Sequence, residues 1–167
     1  MSSFRKILLV GLGAAAAATA APLSQASAAT SETTFSVTAE VVTTCGITAT
    51  NMNFGNYSGI LLAATATLEA TCSTGTPYTI GLNAGTGVGA TIATRKMRGP
   101  AVEELSYTLS QDSAHTINWG NTPGTDTPAP STGNGAAQPH TVFGQIPAGQ
   151  FVQSGAYSDT ITVTLTF

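Results

Sequence analysis

The run LAATATLEATC, Leu62–Cys72, alternates along its whole length. Leu62, Ala64, Ala66, Leu68, Ala70 and Cys72 share one parity, and Thr65, Thr67, Glu69 and Thr71 share the other. Successive side chains of an extended chain point to opposite faces, so this pattern sets an apolar face against a core and a threonine face toward solvent. The same period recurs outward from it. Upstream, Phe35, Val37, Ala39 and Val41 alternate with Thr34, Ser36, Thr38 and Glu40. Downstream come Tyr78, Ile80 and Leu82, then Leu105, Tyr107 and Leu109. Last come Ile161, Val163, Leu165 and Phe167, interleaved with Thr160, Thr162, Thr164 and Thr166. β-Branched threonine favours extended backbone and suits a solvated sheet face.

Turn signals separate these runs: Gly75-Thr76-Pro77, Asn83-Ala84-Gly85, Gly99-Pro100 and Gly144. Past the N-terminal leader no stretch reads as an amphipathic helix. Many short strands at this spacing predict an all-β sandwich or barrel. Asn121–Pro139 (NTPGTDTPAPSTGNGAAQP) is rich in Pro, Gly and Thr and reads as a long mobile loop within the domain, with strand resuming at Thr141-Val142-Phe143.

The N-terminus reads as an export leader. Arg5 and Lys6 precede the uncharged Ile7–Ala21, and Ala26-Ser27-Ala28 supplies a small-residue cleavage motif. The competing reading is a membrane anchor, but the apolar stretch falls short of the roughly 20 residues a spanning helix needs. Cleavage after Ala28 removes residues 1–28 and leaves no integral membrane anchor. Of five Lys and Arg, only Arg95, Lys96 and Arg98 then remain against eight carboxylates. So few cations argue against nucleic-acid binding, which needs clustered Lys and Arg on phosphates. The 95–98 cluster reads as a solvated surface patch, the alternative being a docking patch for an anionic partner. Charged residues make up 8% of the chain, against roughly 25% in ordinary soluble domains. That poverty points to a chain that packs against its own copies or works outside the cell.

Cys45 and Cys72 are the only cysteines. In an exported chain an even, small count implies a disulfide. The rival, a metal or redox site, lacks a CxxC, and His115 and His140 stand isolated. No catalytic, metal or cofactor site is expected. Gly85-Thr86-Gly87-Val88-Gly89 has no following helix to aim at a phosphate and reads as a strand connection. Glu103 and Glu104 are adjacent, so in a strand they face opposite ways and cannot act as a paired acid and base. Trp119 reads as a buried sandwich residue, with sugar stacking as the alternative.

Taken in order, these segments resemble the spore coat U domain family, which includes pilins of archaic, Csu-like chaperone–usher pili. The resemblance is carried by FSVTAEVVTTCGITA, MNFGNY, LEATCSTGTPYTIGLNAG, RKM, LSYTLSQD, the Trp119-Gly120 pair, VFGQIPAGQ and the terminal SGAYSDTITVTLTF. LSYTLSQD departs from the family in having Ser110 where an aromatic is commoner. The resemblance implies an incomplete immunoglobulin-like β-sandwich, lacking its last strand and completed by a donor strand. It implies a non-enzymatic subunit that passes through the periplasm to an extracellular, cell-surface pilus. Its partners would be identical or homologous pilins, a periplasmic chaperone and an outer-membrane usher, with a role in surface adhesion and biofilm formation. On this reading 29–43 is the donor extension, with Phe35, Val37, Ala39 and Val41 facing the neighbour, and 44–167 is the domain.

Other readings stay open. Thr33–Val42 could be the domain's own first strand. The protein could be a spore-coat or extracellular matrix component, a small outer-membrane β-barrel, or a secreted carbohydrate-binding module.

Overall fold

The computed structural model describes residues 27–167. The leader expected at 1–28 lies almost wholly outside the described residues. The chain divides into two units, Met1–Ala39 and Glu40–Phe167. Residues 27–39 of the first unit carry neither helix nor strand. The alternation from Thr33 to Val42 therefore does not become the strand its periodicity predicts. Phe35 is 87% and Val37 82% exposed.

The second unit holds β1 (Cys45–Ala49), β2 (Leu62–Cys72), β3 (Pro77–Leu82), β4 (Arg95–Arg98), β5 (Glu104–Ser110), β6 (Ser131–Thr132), β7 (Ala137–Ile146) and β8 (Val163–Thr166). A short 3₁₀ turn, Pro100–Val102, joins β4 to β5. The strands form two antiparallel sheets, one in the order β1-β2-β7-β5-β4 and the other β6-β3-β8. Neither sheet closes on itself, which sets aside the barrel. Leu68, Ala70, Leu105, Leu109, Val142 and Ile146 from the first sheet meet Tyr78, Ile80 and Leu82 from the second in one buried core. Cys45 stands opposite Cys72 across the β1–β2 ladder, and the two are disulfide-bonded.

β2 begins and ends where its alternation does, because its inward parity is apolar from Leu62 to Cys72. β7 starts earlier than the composition of its first residues indicates. β6 and Ala137–Pro139 fall inside Asn121–Pro139, so that segment supplies strands to both sheets and is not loop throughout. The reason is pairing: Thr71, Ala70 and Glu69 of β2 face Ala137, Gln138 and Pro139. Pro139 is tolerated because β5 pairs with β7 only at Phe143–Gln145, leaving the other edge of β7 free there.

The 95–98 cluster is a second correction. Arg95 is 0% exposed and points into the core. Its Nε donates to the Asn83 carbonyl at 2.9 Å, its Nη1 to Ile92 at 3.0 Å, and its Nη2 to Leu82 at 3.2 Å and Trp119 at 2.6 Å. A guanidinium can be buried this way because its fork of donors finds carbonyls that would otherwise lack partners. Lys96 instead pairs with Glu104 at 2.7 Å, and only Arg98 is exposed.

Candidate functional site

β1 and β8 are outermost strands of different sheets, and neither has a partner on its free side among the described residues. The chain leaving β1 forms no strand from residue 50 to 61, and the chain entering β8 forms none from 147 to 162 except a bridge at Ser158. Between these two segments runs a groove of two neighbouring clefts, of about 580 and 780 Å³, lined by apolar side chains together with polar ones such as Asn53, Ser58 and Asp159. Met52, Phe54 and Tyr57 line one wall, and Val152, Tyr157, Ile161 and Val163 the other. The floor is the core's outer layer, where the buried residues Leu82, Met97, Leu105, Tyr107 and Leu109 line the clefts. Wall residues that belong by type to the interior are only half-buried here.

The walls are fastened from behind. On the first, the Tyr57 hydroxyl donates to the Pro147 carbonyl at 2.6 Å and accepts from Gln150 N–H at 3.1 Å. Gly144 of β7 lets Met52 and Phe54 lie against the sheet, since a Cβ there would strike both side chains. On the second, Arg98 and Ser158 exchange backbone bonds of 2.8 and 3.0 Å. Asp159 then accepts from Thr86 N–H at 2.7 Å, Thr86 Oγ1 at 2.8 Å and the Tyr107 hydroxyl at 2.8 Å. Asn83 Oδ1 accepts from Thr162 N–H at 2.9 Å. Gly85 sits at φ 86°, and a Cβ there would collide with the Asp159 carboxylate, so glycine is required twice over. Gln150 caps β5 in place of a strand: its Nε2 donates to the Ser106 carbonyl at 2.9 Å and its Oε1 accepts from Ser106 N–H at 2.8 Å.

Burial, helped by the bond to Asp159, pushes the Tyr107 phenol far above its ordinary value, so it stays a neutral donor. Burial also pulls the Arg95 pKa down, while Tyr107, Asp159 and Asp126 oppose the shift. Among the described residues no cluster of three His, Cys, Asp or Glu could hold a metal. Trp119 is 2% exposed and its Nε1 donates to the Ile80 carbonyl at 2.8 Å, which removes the sugar-stacking alternative. His140 lies in β7, half-buried, 2.8 Å from the Tyr78 hydroxyl. The surface offers an open slot with a row of apolar side chains along its walls, suited to receiving an extended chain whose alternate side chains are apolar.

Of the expected site residues, Cys45 and Cys72 are joined. Phe35, Val37, Ala39 and Val41 lie in the strandless, exposed stretch 27–44. The groove's own residues were not singled out in advance. Met52 and Phe54, alternating with Asn51 and Asn53, carry a short pattern that could have marked a wall. Nothing in the sequence marks Asp159 as the fastening point of the other.

Two open antiparallel sheets beside a partly apolar slot define an all-β, immunoglobulin-like domain of the kind found in pilus subunits. Residues 31–164 match the Spore Coat Protein U domain, and the chain belongs to that family. It is similar to Protein U of Myxococcus xanthus, with 37% identity over 91% of this chain and 93% of that protein. It is also similar to a chain in the CsuC–CsuE chaperone–tip adhesion subunit pre-assembly complex from archaic chaperone–usher Csu pili of Acinetobacter baumannii. That likeness has a TM-score of 0.58 and 25% identity, and covers 76% of this chain and 40% of that one. The chain thus spans well under half the length of its solved counterpart.

Proposed function

We propose that the chain is a structural subunit of a chaperone–usher pilus, polymerising when Ser31–Val42 of one copy enters the groove of the next. The observation that carries this reading is the groove between the free edges of β1 and β8, paired with an alternating segment that forms no strand of its own. Phe35, Val37 and Val41 are apolar, and Phe35 and Val41 are 87% and 92% exposed. Burying each would contribute roughly 1.5–3 kcal/mol, with main-chain bonds to the β8 edge in addition. An open apolar edge invites aggregation, which gives a periplasmic chaperone its task before an outer-membrane usher hands the groove to the next subunit. Surface adhesion and biofilm formation would follow from a fibre displayed outside the cell.

The test compares Val37→Asp with Thr38→Asp, each as the only copy, with cells imaged for fibres. A charge on the inward parity meets an apolar slot without a partner, and fibres should be lost. The same charge one residue on faces outward and should leave them. Normal fibres from Val37→Asp would refute the proposal.

A second reading, a spore-coat or matrix protein built by the same strand exchange, is favoured by the likeness to Protein U. Immunogold labelling of intact cells separates them, since a coat shows a continuous layer where a pilus shows filaments.

A further inference from the structure

We propose that the loop end carrying Ile60, Leu61, Val102 and Phe151 packs against the opposite, Cys45–Cys72 end of the next copy in the polymer. This rests on the donor-strand reading above and adds to it a contact between the two domains, outside the groove. Three connections converge at this end. A Cβ on Gly59 would press on the Phe151 ring, and Gly149 N–H donates to the Gly59 carbonyl at 2.9 Å. Gly155 lies against the Pro100 ring, and the Gln150 side chain holds both backbone groups of Ser106. Each connection turns large apolar side chains outward. Val102 is 81% and Phe151 90% exposed, and Ile60 and Leu61 are exposed beside them. Glu103 is the only charge within 58–61, 99–103 and 147–155. Apolar side chains gathered in this way on a nearly uncharged end mark an interaction surface.

The occupant follows from where the groove opens. Phe151 and Gly59 also line the larger cleft, so the groove reaches this end. β8 runs away from it, from Val163 beside Leu82 to Thr166 beside Thr79. A donor strand paired antiparallel to β8 therefore runs toward the apolar end and leaves the groove there. Only Thr43 and Thr44 separate Val42 from Cys45. Three steps of about 3.5 Å thus bring the next domain to the groove mouth. The end that arrives is the one where β1 begins, about 33 Å along β2 from that copy's own apolar loops. It is formed by the turns 73–76 and 133–136, joined by a 2.8 Å bond from Gly75 N–H to the Gly133 carbonyl. Neither turn carries a charge and their residues are small, so apolar loops can approach without desolvating an ion. The donor strand already tethers the two domains, so this contact forms at high effective concentration and needs less area than a free dimer.

Two experiments on the full-length chain test this. In the first, Phe151→Cys and Thr74→Cys are combined, and assembled fibres are treated with a short bis-maleimide. A ladder of covalent multimers is expected on a denaturing gel, and either substitution alone should give nothing beyond a dimer. In the second, Ile60→Ser and Val102→Ser are combined. Both residues are exposed and neither lines the clefts, so the fold and the groove are left as they are. Fibres should still form, but they should shed subunits in denaturant about tenfold or more faster than the parent. The melting temperature of the unpolymerised chain should not change. A missing ladder, or shedding at the parent's rate, overturns the contact while leaving strand exchange intact. Weaker adhesion of the Ile60→Ser, Val102→Ser fibres to an apolar surface, with shedding at the parent's rate, overturns it in favour of a foreign surface at this end. Normal fibres from Val37→Asp overturn strand exchange and the contact with it.

Discussion

Arg95 and Trp119 are bound through the main chain: the guanidinium donates to the Trp119 carbonyl at 2.6 Å, and the indole donates to the Ile80 carbonyl at 2.8 Å. One buried cation thereby ties β4, the end of β3 and the Trp119 segment together beneath the groove. Arg95→Met keeps much of the volume but strands the carbonyls of Leu82, Asn83, Ile92 and Trp119. It should destabilise the domain by about 3 kcal/mol or more, seen as a lowered melting temperature. Arg95→Lys should recover only part of this, since an ammonium cannot span the same fork.

Gly144 predicts a change in the groove without a change in the core. In Gly144→Ala the new methyl would meet Met52 and Phe54, the latter at 2.8 Å, and must displace that wall. The expected outcome is slower strand exchange with the disulfide and the sheet intact. Polymerisation rate and thiol labelling measured on the same sample check it.

Tyr107 gives the protein an alkaline limit. Its folded pKa is raised above the unfolded value, mainly by burial and then by Asp159. Its stabilisation is complete below about pH 10 and declines as pH rises through that unfolded value, because the native state then binds the extra proton. Tyr107→Phe removes this increment, so its stability should fall less steeply above about pH 10. Denaturation followed across alkaline pH checks this.

His140 acts in the opposite direction. Burial lowers its pKa, so the unfolded chain takes up the proton first. The resulting stability is present above about pH 6.5 and is lost as pH falls through the folded value. With the ring neutral and its proton on Nδ1, the Tyr78 hydroxyl donates to Nε2. His140→Gln should show a smaller loss of melting temperature than the parent between about pH 7.5 and about pH 5.

The Cys45–Cys72 bond closes a separation of 27 residues and should contribute roughly 3.5 kcal/mol by restricting the unfolded chain. Denatured, unreduced protein should carry no labelled thiol. Reduction should lower the melting temperature markedly. Two labelled thiols per chain before reduction would contradict the bond.

Strands that bury one face were legible, and those stabilised otherwise were not. β2 and β5 announce themselves because their inward parities, Leu62–Cys72 and Leu105–Leu109, are apolar throughout. β4 stayed hidden because one of its two inward residues is Arg95, and a charge signals solvent unless its carbonyl partners are known. β6 and the start of β7 stayed hidden among Pro, Gly and Thr, because register along β3 and along β2, respectively, sets them more than composition does. The disulfide could be read from the cysteine count and the leader. A missing strand was implied by the family resemblance, but the residues that line the groove could not be read, since a gap between two sheets belongs to neither sequence segment that borders it. The alternation at 33–42 has the opposite character: it is clear in the sequence and forms no strand in the fold.

The cross-link between Cys45 and Cys72 also has a mechanical consequence. Any tension on the chain at Thr44 reaches Cys45 first, and from there it passes covalently to β2. β1 therefore cannot be peeled from its neighbour one hydrogen bond at a time. Load is instead delivered to a strand flanked on both sides, by β1 and β7, whose ladder with β7 runs from Leu62 to Thr71. Bonds along that ladder must yield in shear, many together. The domain is thus braced at the point where a pull on its N-terminal segment would arrive.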